Sequence, residues 1–229
     1  MDEHETVRVR DRARQVILKI EAAERASERP KGSVRLVAVS KKKPAEAIIA
    51  AWEAGVSEFG ENYVQEALSK RHFLPDGAKL HLVGSLQRNK ARKAAALFDM
   101  VQSVDSPEIA EALDKAAAEA ERKMEVLLEL NIAMEHSKAG VGAESLFELA
   151  DKVTGLKNLH LRGLMVIPPA DVPEAFFPEA RMLFEAVQAR LGLDAGFDVL
   201  SMGMSQDFEK AIECGSTMVR VGRAIFGER

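Results

Sequence analysis

The feature that most constrains the fold of this chain is a repeated alternation. Short strand-like runs, all but one containing Val or Leu, recur at 35–40, 57–60, 80–83, 100–104, 125–131, 160–166, 198–202 and 217–221. Nearly all are separated by stretches whose apolar residues recur at helical spacing. Strands alternating with helices make a parallel sheet. Eight such units in 229 residues predict a single (β/α)8 TIM barrel over 1–229, an α/β fold. An open doubly wound sheet is the competing arrangement, but eight regular units with no sign of a second domain favour closure. Ahead of the first strand, 7–26 places Val16, Ile17, Ile20 and Ala23 on one helical face, so an extra N-terminal helix is expected within 1–30.

Local punctuation agrees with this division. Pro44 suits the first turn of a helix that Gly55 ends. Ser106 is a candidate cap, with Pro107 and Glu108 behind it. The long helical stretch 173–192 is expected to break at Pro178.

Composition excludes several classes of function. A net charge of −4 leaves no footprint for nucleic acid or a membrane surface, and "RNKARK" reads as a solvated helix face. Cys214 is the only cysteine, so no disulfide framework exists within the chain, and an inert buried thiol is expected there. The charged start "MDEHETVRVRDRARQ" is neither a signal peptide nor an anchor, and a cytoplasmic protein is expected. The five histidines show no ligand spacing, so no metal site is expected; His81 and Trp52 read as core residues.

In a barrel of this kind ligands sit on the loops that follow the strands. "LSMGMSQD" places Ser201, Gly203 and Ser205 after the seventh strand, and "VRVGRA" places Gly222 after the eighth. Glycines before a helix allow close approach of an oxyanion to free backbone N–H groups, and these two loops are the usual phosphate site. After the first strand comes "SKKKP". An amine there, with its pKa lowered by neighbouring cations or burial, can condense with an aldehyde. Strand alternation favours one of Lys41, Lys42 and Lys43 facing inward. An aldehyde that also bears a phosphate would satisfy both ends of the mouth, and pyridoxal phosphate is such a molecule.

The segments "VAVSKKKP", "FGENYVQEA", "HLVGSLQRNK", "LRGLMVIPP", "LSMGMSQDFEKAI" and "GSTMVRVGRAIFG" together resemble the signature of the YggS/PROSC family of pyridoxal phosphate homeostasis proteins, in register from about Leu36 to Gly227. That family is similar to the barrel of alanine racemase, a fold-type III cofactor protein. The resemblance implies that Lys41 forms the Schiff base with pyridoxal 5′-phosphate and that Asn62 lies beside the cofactor. It implies that Ser201 and Gly203, with the backbone of Gly222 and Arg223, hold the phosphate. Arg220 would face the pyridine nitrogen, the alternative being a direct phosphate contact. Threonine is common in the family where Lys42 stands, and an aromatic where Leu80 stands. The loop carrying Lys138 follows the family pattern more loosely.

An arginine at the ring nitrogen weakens the cofactor as an electron sink. Racemisation also needs an acid/base opposite the lysine. The only tyrosine is Tyr63, read as a packing residue, and the chain ends directly after the barrel. The expectation is a cytoplasmic, monomeric carrier with no catalytic residues. Its partners are pyridoxal phosphate and the apoenzymes or amino acids that exchange it, with no nucleic acid and no membrane. A small amino-acid racemase is the alternative.

Overall fold

The computed structural model describes residues 1–133, 139–169, 173–192 and 196–228. Its strands fall within a residue or two of the apolar runs: β1 Arg35–Val39, β2 Glu58–Glu61, β3 Lys79–Leu82, β4 Met100–Val104, β5 Met124–Leu130, β6 Leu159–Val166, β7 Val199–Ser201 and β8 Met218–Val221. Each pairs in parallel with the next, and β8 returns to β1 through Val37↔Arg220 and Ala38↔Val221, closing the barrel. Closure sets the end of β1 beside the end of β8, so the "SKKKP" and "RVGRA" loops become neighbours although they are far apart in the chain.

The helices are α1 Glu3–Ala26, α2 Ala45–Glu53, α3 Val64–Lys70, α4 Ala91–Leu97, α5 Pro107–Glu119, α6 Ala143–Thr154, α7 Phe177–Leu191, α8 Phe208–Glu213 and α9 Arg223–Phe226. The extra helix α1 begins at Glu3, earlier than the apolar spacing alone implies. Asp2 caps it, its carboxylate accepting from Glu5 N at 2.7 Å. Buried Glu24 accepts from Val34 N at 2.7 Å and from Gly32 N at 3.0 Å, fixing the path from α1 into β1. Pro178 lies in the first turn of α7, behind a short 3-10 turn at Pro173–Phe176, so the expected break is present. Ser106 stands at the N-cap position of α5, but its hydroxyl donates to Asp105 Oδ1 at 3.1 Å and caps nothing. Among the described residues no helix is long and apolar enough to cross a membrane.

Strand alternation divides the core in two. Outward residues such as Ala38, Phe59, Leu82, Val101 and Leu128 pack under the helices against residues such as Ile48, Leu113, Leu149 and Phe184. Inward ones, Val37, Met100, Leu127, Met165, Val199 and Met218, make a small separate cluster inside the barrel. Trp52 is partly buried against the outer layer. Gly163 is required where β6 meets β7, because a Cβ there would lie 1.8 Å from the Val199 carbonyl oxygen.

A polar column runs through the interior. At its floor Arg35 grips Glu58 bidentately at 2.9 and 2.8 Å. His81 Nε2 stands 3.1 Å from Glu58 Oε2, within charge range but out of line for a hydrogen bond. Gln102 Nε2 donates to His81 Nδ1 at 3.0 Å, and Ser201 Oγ donates to Gln102 Oε1 at 2.7 Å. His81 is therefore the partnered core histidine the sequence suggests.

Candidate functional site

Three backbone contacts shape the turn that follows β1. Ser40 N donates to Gly60 O at 2.9 Å, Lys43 N donates to Ser40 O at 3.0 Å, and Lys42 N donates to a carboxylate oxygen of Glu66. Lys42 takes φ 60°, the left-handed region that a side chain enters only under constraint. The three lysines thereby separate. Lys42 is exposed, Lys43 Nζ donates to the Glu228 carbonyl at 2.9 Å, and Lys41 is half-buried.

Beneath this turn lies a buried ion cluster. Lys70 is 7% exposed, and its Nζ donates to Ser40 O at 2.8 Å, Glu61 Oε1 at 2.7 Å and Glu66 Oε1 at 2.8 Å. Ser40 Oγ also donates to Glu61 Oε1 at 2.7 Å. Burial pushes the Glu61 carboxyl upward against the opposing pull of Lys70 and Ser40. Glu66 thus holds residue 42 and Lys70 holds residue 40, one on each side of Lys41.

On the neighbouring side of the mouth the β7 and β8 loops converge. Gly203 has φ +95°, and a Cβ there would lie 2.6 Å from Ala211 Cβ, so only glycine fits. Arg220 N donates to Gly203 O at 3.0 Å, tying the two loops together. The N–H groups of Gly222 and Ala224 both point at one oxygen, Ser205 Oγ, at 3.3 and 3.2 Å. A Cβ on Gly222 would sit 3.2 Å from the Val39 carbonyl oxygen, so this turn lies directly against the end of β1.

Arg220 joins the loops to the barrel interior. Its Nη1 donates to Ser201 O and Ser201 Oγ, both at 2.7 Å, and its Nη2 donates to Val166 O at 2.8 Å. Burial lowers its pKa to about 10, against the charges of Glu129 and Asp207, so it remains a cation at neutral pH. The Ser201 hydroxyl is thus engaged between Gln102 and Arg220.

Across the mouth a cavity of ≈ 560 Å³ opens between the ends of β2, β3 and β5, lined by Asn62, Tyr63, Gln65, Lys90, Glu129 and Ile167 among others. Gly84 packs against its wall, where a Cβ would lie 2.4 Å from the Asn62 carbonyl oxygen. Tyr63 is 60% exposed at the cavity rim and is not the packing residue expected of it. Glu129 is 5% exposed, and its Oε2 has no hydrogen-bond partner among the described residues. Burial and the nearby Asp105 charge raise its pKa to about 7, with Arg220 opposing.

The structure brings Lys41, Ser201, Gly203, Arg220, Gly222 and Arg223 to one end of the barrel, with Asn62 on the cavity beside them. Lys138 lies outside the described residues. Among those residues no cluster of His, Cys, Asp or Glu could hold a metal ion. Cys214 is half-buried, with burial raising its thiol pKa. Sequence reasoning missed Ser205 as an acceptor, the Lys70 cluster and Glu129. The Glu66–Lys70 spacing was visible but reads as an ordinary surface pair.

Residues 19–229 match the family model described as "Alanine racemase, N-terminal domain". A "Pyridoxal phosphate homeostasis protein" of Pasteurella multocida is 42% identical over 222 residues, covering 94% of this chain and 95% of that one. A protein of Bifidobacterium adolescentis superposes with a TM-score of 0.91 at 34% identity, over 99% of this chain and 97% of its own. PipY of Synechococcus elongatus PCC7942, solved with PLP bound, superposes with a TM-score of 0.79 at 39% identity, over 91% of this chain and 99% of its own.

Proposed function

We propose, from the premise that the chain belongs to the pyridoxal phosphate homeostasis protein family, that it binds pyridoxal 5′-phosphate and carries it without turning over a substrate. One observation carries the reading. The N–H groups of Gly222 and Ala224 converge on a single oxygen, in a turn where Gly203 leaves no room for a side chain and Gly222 packs against the Val39 carbonyl, directly beside the β1 end that presents Lys41. Such a turn is built to accept an oxyanion, and a neighbouring amine completes the match to an aldehyde that carries a phosphate.

When bound, the cofactor supplies an aldehyde that condenses reversibly with amines. Lys41 is the amine, Gly203 and the backbone of Gly222 and Arg223 receive the phosphate at the end of β7 marked by Ser201, and Asn62 flanks the ring. Arg220, fixed by Ser201 and Val166, places a permanent cation in the barrel mouth. A cation at the ring nitrogen disfavours its protonation and so weakens the ring as an electron sink, which favours holding over turnover. The carrier acts in the cytoplasm as a monomer and exchanges its cofactor with apoenzymes or amino acids.

The purified chain is expected to show a visible absorption band with the cofactor. Lys41→Ala should lose the band, and Lys42→Ala and Lys43→Ala should keep it. A full band in Lys41→Ala would overturn the lysine assignment. A racemase reading has one observation in its favour, the exposure of Tyr63 at the cavity rim. Steady conversion of L- to D-alanine, abolished by Tyr63→Phe, would replace the carrier reading with it.

A further inference from the structure

The interior column has a direction, and its donors and acceptors fix it. A guanidinium offers only N–H groups and accepts nothing. Arg220 Nη1 therefore donates to Ser201 Oγ, and the single hydroxyl proton of Ser201 goes to Gln102 Oε1 at 2.7 Å. With its carbonyl so turned, Gln102 presents its amide N–H groups to His81 Nδ1 at 3.0 Å and to Met218 Sδ at 3.1 Å. His81 Nδ1 must then accept, which puts the proton of the neutral ring on Nε2, 3.1 Å from Glu58 Oε2. Glu58, gripped by Arg35, ends the column with a group that only accepts. Turning the Gln102 amide over would strand the Ser201 proton and set a carbonyl oxygen against Nδ1.

Burial decides what these side chains can touch. Ser201 and Gln102 are both 0% exposed, so neither presents surface to a ligand in the barrel mouth. Ser201 O and Val166 O hold the guanidinium of Arg220 from the backbone. The Ser201 hydroxyl is a side-chain partner that can rotate, and its lone pair stays on Nη1 only while its proton is held elsewhere. Gln102 holds that proton. Both residues thus act on a bound ligand through Arg220.

We propose that Gln102 is a positioning residue for the cofactor ring: by holding the Ser201 proton it keeps the Arg220 guanidinium in one orientation, and the Ser201 side chain belongs to this device and is not a phosphate ligand. The proposal rests on the carrier reading for what Arg220 faces. The proton order of the column does not depend on the cofactor.

NMR of the histidine ring nitrogens in the cofactor-free full chain reads the proton order. The neutral ring of His81 should carry its proton on Nε2, and a ring protonated on Nδ1 alone would overturn the proposal. Titration of the full chain with pyridoxal phosphate, followed by the visible band, reads the positioning. Gln102→Leu and Ser201→Ala should each weaken binding roughly three- to tenfold, as loss of one hydrogen bond does, and should move the pH midpoint of the band in the same direction. The double variant should stay within about twofold of either single one, because Gln102 acts through Ser201. If Gln102→Leu does not fold, Gln102→Met carries the same expectation. Gly192→Ala, at the end of α7 with open space around it, controls for lost stability and should change neither readout. Wild-type affinity and midpoint in the Gln102 variants, effects that add in the double variant, or a loss in Ser201→Ala roughly tenfold beyond that in Gln102→Leu would each overturn the proposal. Failure of the carrier reading registers separately, as a missing visible band in wild-type protein whose His81 tautomer still follows the column.

Discussion

Single residues show how burial sets chemistry in this chain. The Glu129 carboxyl lies near 7 in the fold against an ordinary 4.5, because burial and Asp105 both oppose its charge. The folded chain therefore binds this proton more tightly than the unfolded one. Its contribution favours folding below about 4.5, declines as pH rises to about 7 and is flat above, a loss on the order of 3 kcal/mol. Glu129→Gln removes that loss. In denaturant titrations the variant should be more stable than wild type by on the order of 2–3 kcal/mol near pH 8, with the gap narrowing near pH 5. Glu58 works in the opposite direction. Burial resists its charge, but His81 and Arg35 overcome it and hold the carboxyl at about 2. Its stabilisation is fully present above 4.5 and is lost as pH falls towards 2, about 3 kcal/mol in all. Glu58→Gln should flatten the acid limb of the stability curve while destabilising the protein at neutral pH.

At the scale of elements, the turn after β1 is held from below by α3. Lys70 and Glu66, one helical turn apart, bind the backbone of residues 40 and 42 and leave Lys41 between them. Removing Lys70 strands Glu61 as a buried, uncompensated carboxylate. Lys70→Met should cost about 3–5 kcal/mol in thermal or chemical unfolding, and adding Glu61→Gln should restore part of it. The cofactor band should weaken in the single variant while Lys41 is still present, marking Lys70 as a positioning residue. The β7 loop is equally exacting. Gly203→Ala forces an L side chain to φ +95° with its Cβ 2.6 Å from that of Ala211. The expected cost is on the order of 1–3 kcal/mol, accompanied by weaker phosphate binding measured by cofactor titration. Local signals read most of these elements correctly. Ser106 shows their limit, since a capping residue at the right position turns its hydroxyl to Asp105 instead.

For the whole molecule, closure depends on places where strands approach more tightly than side chains allow. At Gly163 the β6 backbone passes so close to Val199 that a methyl group would overlap its carbonyl. Gly163→Ala should destabilise the barrel by several kcal/mol, or prevent folding, as followed by circular dichroism on heating. Gly192→Ala is the control. It has φ +61° with open space around it, and should cost about 1 kcal/mol. The closed barrel also assembles the interior column, in which Glu58, His81, Gln102, Ser201 and Arg220 come from five different strands.

The sequence by itself determined the number, kind and order of the elements, and with them the barrel. Apolar spacing, helix starts and glycine stops act over a few residues and are legible without knowing what packs where. It also pointed to the mouth, through Lys41, Gly203 and Gly222, because backbone clearance and an amine at a strand end leave local marks. Which polar groups are sealed from water, and whether each finds a partner, was decided only by tertiary structure. Lys70 becomes a buried cation because β1 and β2 cover it, Ser205 becomes an acceptor because β8 delivers two N–H groups to it, and Glu129 is left short because no described donor reaches it. Those outcomes are set by desolvation, and the desolvation of a side chain is fixed by segments remote from it in the chain.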